Sequence, residues 1–503
     1  MTEVLHHLSQ GFGVALTPIN LLYCLLGALL GTLVGVLPGI GALATIAMLL
    51  PITFSLPPVA ALIMLAGIYY GAQYGGSTTS ILVNLPGESS SVITCLDGYA
   101  MARQGRAGPA LSIAALGSFF AGCVSTLLIA LFAPPLAEVA LKFGQADYFS
   151  LMFLGLVAAV VLARGSVLKA IAMIFLGLLL GLVGTDVYTA TARFNFGLPE
   201  LADGIGFVVV AMGLFGFAEI IVNLERGDKR QVFTSNVTGL MPTRSDLKAS
   251  WGAVVRGTGL GSLLGILPGG GAILSSFASY TLEKRLAADP GRFGNGAIEG
   301  VAGPESANNA AAQTSFIPLL TLGIPANAVM AVMVGAMTIQ GITPGPQVMT
   351  EHPGLFWGLI ASMWVGNLML VVLNLPLIGI WVRVLRVPYR LLYPAVLLFC
   401  CIGVYSLSNS TVDVLLTAGF GVLGYIFVKL ECEPAPLLLG FILGPMMEEN
   451  LRRAMLLSHG DPMIFFTRPI SLSLLIAAVL LLLLITIVPA VRRKREEAFQ
   501  ETE

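Results

Sequence analysis

The segment GTLVGVLPGIGA at Gly31–Ala42 returns as GSLLGILPGGGA at Gly261–Ala272, and this recurrence constrains the fold more than any other feature. Eight of the twelve positions are identical at a constant offset of 230 (261 − 31). Three of the four differences, Thr32/Ser262, Val34/Leu264 and Val36/Ile266, keep shape and polarity. Apolar segments share a small alphabet and resemble one another by chance, but a common G-x-L-x-G-x-L-P-G frame is much harder to reach that way. The chain is therefore expected to be a duplication, with two halves on one plan. A second, weaker correspondence follows in each half: TTSILVNLPGE at Thr78–Glu88 and TSFIPLLTLGIP at Thr314–Pro325 both run from a hydroxyl pair through an apolar stretch to a proline. Their distances from the first motif differ, which calls for an insertion.

Composition decides where such a fold resides. Only 11% of the 503 residues are charged and 56% are hydrophobic, against roughly 25% charged in a soluble domain. The apolar residues fall in runs such as Phe149–Ala163 and Ser471–Pro489, the pattern of many membrane spans. Several runs are shorter than the roughly 20 residues a full crossing needs, so half-helices or hairpins are expected among about 10–14 crossing or re-entrant elements. The fold class expected is an all-α polytopic membrane protein. A net charge of −1 offers no basic surface for nucleic acid. The six cysteines, Cys24, Cys95, Cys123, Cys400, Cys401 and Cys432, have neither disulfide-framework nor metal-site spacing. MTEVLHHLSQGF at the N-terminus lacks the features of a secretory signal, so the first span is expected to target the chain.

The hydrophilic stretch 223–248, with NLERGDKR and TRSDLK, divides the chain into a first membrane repeat (1–222) and a second (249–490), followed by a tail (491–503). The tail's VRRKREE places it in the cytoplasm, and Arg226, Lys229 and Arg230 do the same for the linker. Arg103 and Arg106 precede the apolar run 108–133, whereas Arg383 and Arg386 follow 354–381. If these runs correspond, they cross in opposite directions and the repeat is inverted, the symmetry of many secondary transporters.

Polar chemistry gathers at YYGAQYGGSTTSILVNLPGE (Tyr69–Glu88), GPESANNAAAQ (Gly303–Gln313) and LTLGIPAN (Leu320–Asn327). At membrane depth such side chains, and backbone freed by Pro or Gly, need partners. Break points are expected at Gly35, Pro38, Gly39, Pro86 and Gly87 in the first half, and at Gly265, Pro268, Gly269, Gly323 and Pro325 in the second. Broken helices can aim N-terminal amides at an anion. Ser77, Thr78, Thr79, Asn84, Ser306, Asn308, Asn309 and Thr314 are the candidate substrate contacts, although the same small and hydroxyl residues suit tight helix packing. Among the acidic residues Glu88, Asp97, Asp186, Glu305 and Asp413, the preferred ion-coupling candidates are Glu305 and Glu88. No Arg or Lys lies within the polar clusters, so helix ends and neutral donors, with or without a bound cation, would hold an anionic substrate. Enzyme signatures are missing: His6, His7, His352 and His459 form no HExxH, and neither a phosphate loop nor a G-x-S-x-G elbow is present. An intramembrane enzyme or a channel remains the alternative to a carrier.

Taken together, GTLVGVLPGIGALATIAMLLP (Gly31–Pro51), Tyr69–Glu88, GILPGGGA (Gly265–Ala272), EGVAGPESANNAAA (Glu299–Ala312) and IPLLTLGIP (Ile317–Pro325) resemble the large membrane subunit, TctA type, of bacterial tripartite tricarboxylate transporters. The resemblance runs from about Gly11 to about Arg492. It implies a permease that imports citrate or related organic carboxylates across the inner membrane by symport, with a small four-span membrane subunit and a periplasmic solute-binding protein as partners. It further implies no cofactor and an ion gradient as the driving force, with Na⁺ expected as coupling ion and H⁺ as the alternative. The family's motifs fall on Gly31, Gly35, Pro38, Gly39, Gly75, Gly76, Ser77, Thr78, Thr79, Asn84, Pro86 and Gly87. In the second half they fall on Pro268, Gly269, Glu305, Ala307, Asn308, Asn309, Gly323 and Pro325.

Overall fold

A computed structural model describes residues 2–37, 41–163, 166–186, 188–226, 239–267, 271–385 and 389–487. The expected breaks at Pro38, Gly39, Pro268 and Gly269, residues 227–238 of the linker and the C-terminal tail lie outside these residues. The described chain is helical apart from one antiparallel two-stranded pairing, Gly184–Thr185 with Ala192–Arg193. Five described helices are long and apolar enough to cross a membrane: Pro18–Val36, Ala107–Ala140, Phe207–Glu225, Pro353–Asn374 and Thr411–Lys429. Shorter apolar helices, such as Ala42–Phe54 and Ala328–Ile339, accompany them, as expected if some elements do not cross alone.

Local sequence sets the helix ends. Pro18–Val36, Pro58–Val83, Pro353–Asn374 and Pro434–Leu457 each carry proline in the first turn, where its missing N–H costs nothing. Pro58–Val83 stops at Asn84 (φ 58°) and Phe316–Leu322 stops at Gly323 (φ 71°). Both residues adopt the left-handed conformation that ends a helix.

The duplication is visible as packing. Gly27, Gly31 and Gly35 lie against the backbone of Met64, Ile68 and Ala72 on Pro58–Val83. Their counterparts 230 residues on, Gly257, Gly261 and Gly265, lie against Gly303, Ala307 and Ala311 on Glu299–Thr314. The partners are offset by 239 (303 − 64, and likewise for the other two). The insertion is thus nine residues (239 − 230), between the first and second motif helices of the second half. In that register Asn84 corresponds to Gly323, Pro86 to Pro325 and Glu88 to Asn327. The prolines match as expected, but Thr78 corresponds to Ile317 rather than to the Thr314–Ser315 pair.

The halves are interlocked reciprocally. Ala107–Ala140 of the first half packs on Arg244–Gly265 and Glu299–Thr314 of the second, while Pro353–Asn374 packs on Pro18–Val36 and Pro58–Val83. Ala42–Phe54 meets Ala328–Ile339 just as Gly271–Leu286 meets the turns at Ser89–Thr94. Such exchange is what a two-fold relation between the halves produces. A second bundle consists of two groups, each packing mostly within itself: Gln145–Leu162, Val167–Gly181, Pro434–Leu457 and Pro469–Ile487 form one, and Phe207–Arg226 with Thr411–Lys429 the other. It faces the core across Ala42–Phe54 and Ala328–Ile339.

Candidate functional site

Between core and second bundle lies a cavity of about 480 Å³, within the range of small-molecule sites. The helix starts at Ala42, Gly271, Ala328 and Pro434 all line it. First-turn amides have no intrahelical acceptor, so the ends at Ala42, Gly271 and Ala328 present N–H groups and positive potential to the space, whereas Pro434 and Pro436 strip the fourth end of most of its donors. Among the described residues the cavity wall contains Glu88, Glu219 and Glu433 but no Lys, Arg or His. Its neutral polar lining comprises Tyr69, Gln73, Ser89, Ser90 and Asn327. Asn327 Nδ2 donates to Tyr69 Oη at 3.2 Å, while its Oδ1 accepts from Met330 N–H at 3.0 Å and so caps Ala328–Ile339. Glu88 Oε1 accepts from Ala42 N–H at 2.5 Å. Ser90 Oγ donates to Gln73 Oε1 at 2.5 Å.

A second polar cluster is buried between the halves, apart from that cavity. Glu305 accepts from the Ser77 and Thr94 hydroxyls and from Asn308 Nδ2 at 3.1 Å. Asn309 Nδ2 donates to Ser118 Oγ at 2.8 Å and Asn308 Oδ1 at 2.6 Å. No basic side chain pairs with Glu305 among the described residues. Asn309 Oδ1, Gln313 Nε2 and Tyr74 Oη find no partner among the described residues. Tyr74, Ser77, Thr78, Ser118 and Asn374 surround a void of only about 10 Å³ there, scarcely room for one water.

The structure therefore brings together Ser77, Glu305, Asn308 and Asn309, and separates them from Glu88, which lies in the larger cavity. Thr79 donates to Val36 O at 2.7 Å, satisfying the end of the first motif helix. Ser306 and Thr314 bond back to Ala302 O and Ala310 O of their own helix. Asn84 is exposed at its helix end. Gly87 lies against Gly35 O and Gly76 Cα, so close that a Cβ would overlap both. The other acidic residues are structurally engaged. Asp97 Oδ1 accepts the N–H groups of Gly294, Gly296 and Ala297 at 2.8–2.9 Å, and its Oδ2 accepts from Tyr280. Asp186 pairs with Arg193 and Arg452, while Asp413 stands in the first turn of Thr411–Lys429, where its backbone N–H, not its carboxylate, bonds to the capping Ser410. The described residues contain no cluster of three or more His, Cys, Asp or Glu suited to a metal, and all six cysteines are free.

Tyr69, Gln73 and Asn327, which line the cavity, were not separable from their neighbours in sequence. Two signals pointed at them: a glutamine inside an otherwise small and apolar helix, and an asparagine just before the apolar run AVMAVM.

A helical chain of this apolarity, with several spans and a polar cavity at converging helix ends, is a multi-pass membrane protein of transporter type. Residues 21–439 match the tripartite tricarboxylate transporter TctA family, and the chain belongs to that family. It is 61% identical over 501 residues, covering all of both chains, to a protein of Agrobacterium vitis described as "Uncharacterized 52.8 kDa protein in TAR-I ttuC' 3'region". A shorter protein of the same organism, described as "Uncharacterized protein in TAR-II ttuC' 3'region", is 61% identical over 241 residues, 48% of this chain and 99% of its own. No solved structure matches.

Proposed function

We propose that this chain is the translocating subunit of an ion-gradient-driven symporter that imports tricarboxylates, such as citrate, or related organic carboxylates across the bacterial inner membrane. The observation that carries this reading is the cavity of about 480 Å³ onto which three helix N-termini with first-turn amides open, at Ala42, Gly271 and Ala328, with no basic side chain in its wall among the described residues. Amide dipoles attract carboxylates there, and their diffuse charge allows release more readily than an arginine clamp would. Binding energy of that moderate kind suits a carrier, which must let go of its cargo. The tripartite family also implies a periplasmic solute-binding protein and a small membrane subunit of four spans as partners.

Orientation rests on the ion pairs. Lys169 meets Leu430 O and Glu431, and Lys429 meets Glu225; with basic residues inside, these ends face the cytoplasm together with the linker and the tail. Arg193–Glu448 and Arg468–Asp147 then fall on the periplasmic side. In this orientation the two halves run in opposite directions, which gives two conformations of similar energy for alternating access.

Coupling is assigned to the acidic residues. A carboxylate as deeply buried as Glu305, held only by neutral donors, is costly unless it takes up a proton or a cation. The unpartnered Asn309 Oδ1 and Tyr74 Oη close by offer oxygen ligands of the kind Na⁺ uses. Glu88 is the second candidate. The test is uptake of labelled citrate by proteoliposomes holding this chain, its small partner and a purified binding protein, with and without an inward Na⁺ gradient. Accumulation dependent on both gradient and binding protein supports the reading. A folded complex that accumulates no carboxylate under a Na⁺ or proton gradient overturns it.

A further inference from the structure

The two halves share one plan, so their corresponding positions in the cavity ought to be alike. At one pair they differ in charge. Gly41 and Gly271 correspond, both with positive φ (65° and 43°), at the starts of Ala42–Phe54 and Gly271–Leu286. The residue that folds back onto each start is Glu88 in the first half and Asn327 in the second. Glu88 Oε1 accepts from Ala42 N–H at 2.5 Å, whereas a Cβ on Gly271 would lie 3.4 Å from Asn327 Nδ2.

We propose that Glu88 is a built-in carboxylate that fills one of two pseudo-equivalent anion positions, leaving the other, at Gly271–Leu286, to receive a substrate carboxylate. The inference rests on the carboxylate reading above and deepens it: Glu88 sets how many substrate carboxylates the cavity accepts.

Three observations support the vacant position as a ligand site. No side chain accepts from the first-turn amides of Gly271–Leu286 among the described residues, in contrast to Ala42. Asn327 is neutral and is held in place by Tyr69 and Met330 N–H. Gln73 is only 3% exposed and lines the same cavity; its Oε1 is taken by Ser90 and its Nε2 has no partner among the described residues. Gln73 stands one helical turn beyond Tyr69, the residue bonded to Asn327. Its remaining amide donor is accessible from the cavity onto which both helix starts open, where a ligand acceptor can reach it. Glu219 and Glu433 add negative charge elsewhere on the wall, which disfavours a carboxylate beside them and sharpens the preference for this position.

The test compares glutarate with pentanoate, which have the same carbon backbone and differ by one carboxylate, binding to this chain with its small partner in nanodiscs. Glu88→Gln keeps the size of the side chain and removes its charge, so the first helix start becomes free for a second substrate carboxylate. The ratio of the two affinities is expected to move toward glutarate by about tenfold. Asn327→Asp still caps Ala328–Ile339 but places a second built-in carboxylate, and should weaken both acids by about tenfold or more. An unchanged ratio in Glu88→Gln, or undiminished binding in Asn327→Asp, overturns the inference. Should Glu88→Gln fail to fold, the Asn327→Asp arm decides alone. If the unmodified protein transports and binds neither acid, it is the carboxylate reading that fails instead.

Discussion

Replacing Gly261 by alanine should separate two helices that now touch backbone to backbone. A Cβ there would lie 2.2 Å from Ala307 O and 2.7 Å from Ala307 Cα. That is about 1.2 Å inside the 3.4 Å at which ordinary contact begins. The obstructing atoms are main chain, so no rotamer change relieves the overlap and Arg244–Gly265 must move away from Glu299–Thr314. Overpacking of this kind costs about 1–3 kcal/mol, and backbone obstruction puts Gly261→Ala at the upper end. The same helix supplies the control. Gly259, two residues earlier, is exposed and a Cβ there meets nothing within 4 Å, so Gly259→Ala should gain about 0.5–1 kcal/mol from helix propensity. The two variants should therefore differ by about 3–4 kcal/mol, read as unfolding midpoints in mixed micelles. The duplication adds a second control: Gly31→Ala, whose Cβ would lie 2.4 Å from Ile68 O, should behave as Gly261→Ala does. Equal stability of Gly261→Ala and Gly259→Ala would refute the close-packed pairing on which the repeat register rests.

At the helix breaks, Gly323→Ala should be destabilised by about 1–2 kcal/mol from its left-handed backbone alone, and further because a Cβ would lie 2.6 Å from Pro344 O. Asn84→Gly, at the corresponding position, should be neutral or slightly stabilising in the same micelle assay. Arg468→Ala leaves the fully buried Asp147 carboxylate without its cation and should cost about 3 kcal/mol; denaturation indistinguishable from the unmodified chain would contradict this. Glu305→Gln keeps the bonds from Ser77 and Thr94 geometrically available but removes the charge, so uptake should lose its dependence on the ion gradient while binding of substrate persists. Retained gradient-driven accumulation would remove Glu305 from the coupling path.

The membrane class and the first repeat were legible because they depend on residue type itself. Charge density excludes a soluble fold, and closely approaching helices demand glycine at Gly31, Gly35, Gly261 and Gly265. The second correspondence was obscured because its constraint is a backbone shape that different residues satisfy. Asn84 and Gly323 hold the same left-handed turn without being identical, whereas the hydroxyl pairs that looked alike are three residues out of register. The candidate contacts were hidden for a related reason. Asn308, Asn309 and Ser77 lie where the two halves meet, and sequence cannot distinguish that from facing a cavity. Gln73 and Asn327, in contrast, owe their place on the cavity wall to a space formed between segments more than two hundred residues apart. Glu88 and Glu305 were both read as acidic residues at membrane depth, yet only the fold shows one at a helix start and the other in a cage of neutral donors.

In the proposed cycle the carboxylate passes through the cavity between core and second bundle. Ala328 lines it at a helix start, so Ala328→Cys on a background lacking the six native cysteines reports on it directly. In proteoliposomes carrying the whole complex, a membrane-impermeant maleimide should reach this cysteine from either side in turn, and citrate or the carboxylate found to be transported should protect it. A cysteine that is labelled from one side only, at a rate unaffected by substrate while uptake proceeds, would place the path elsewhere.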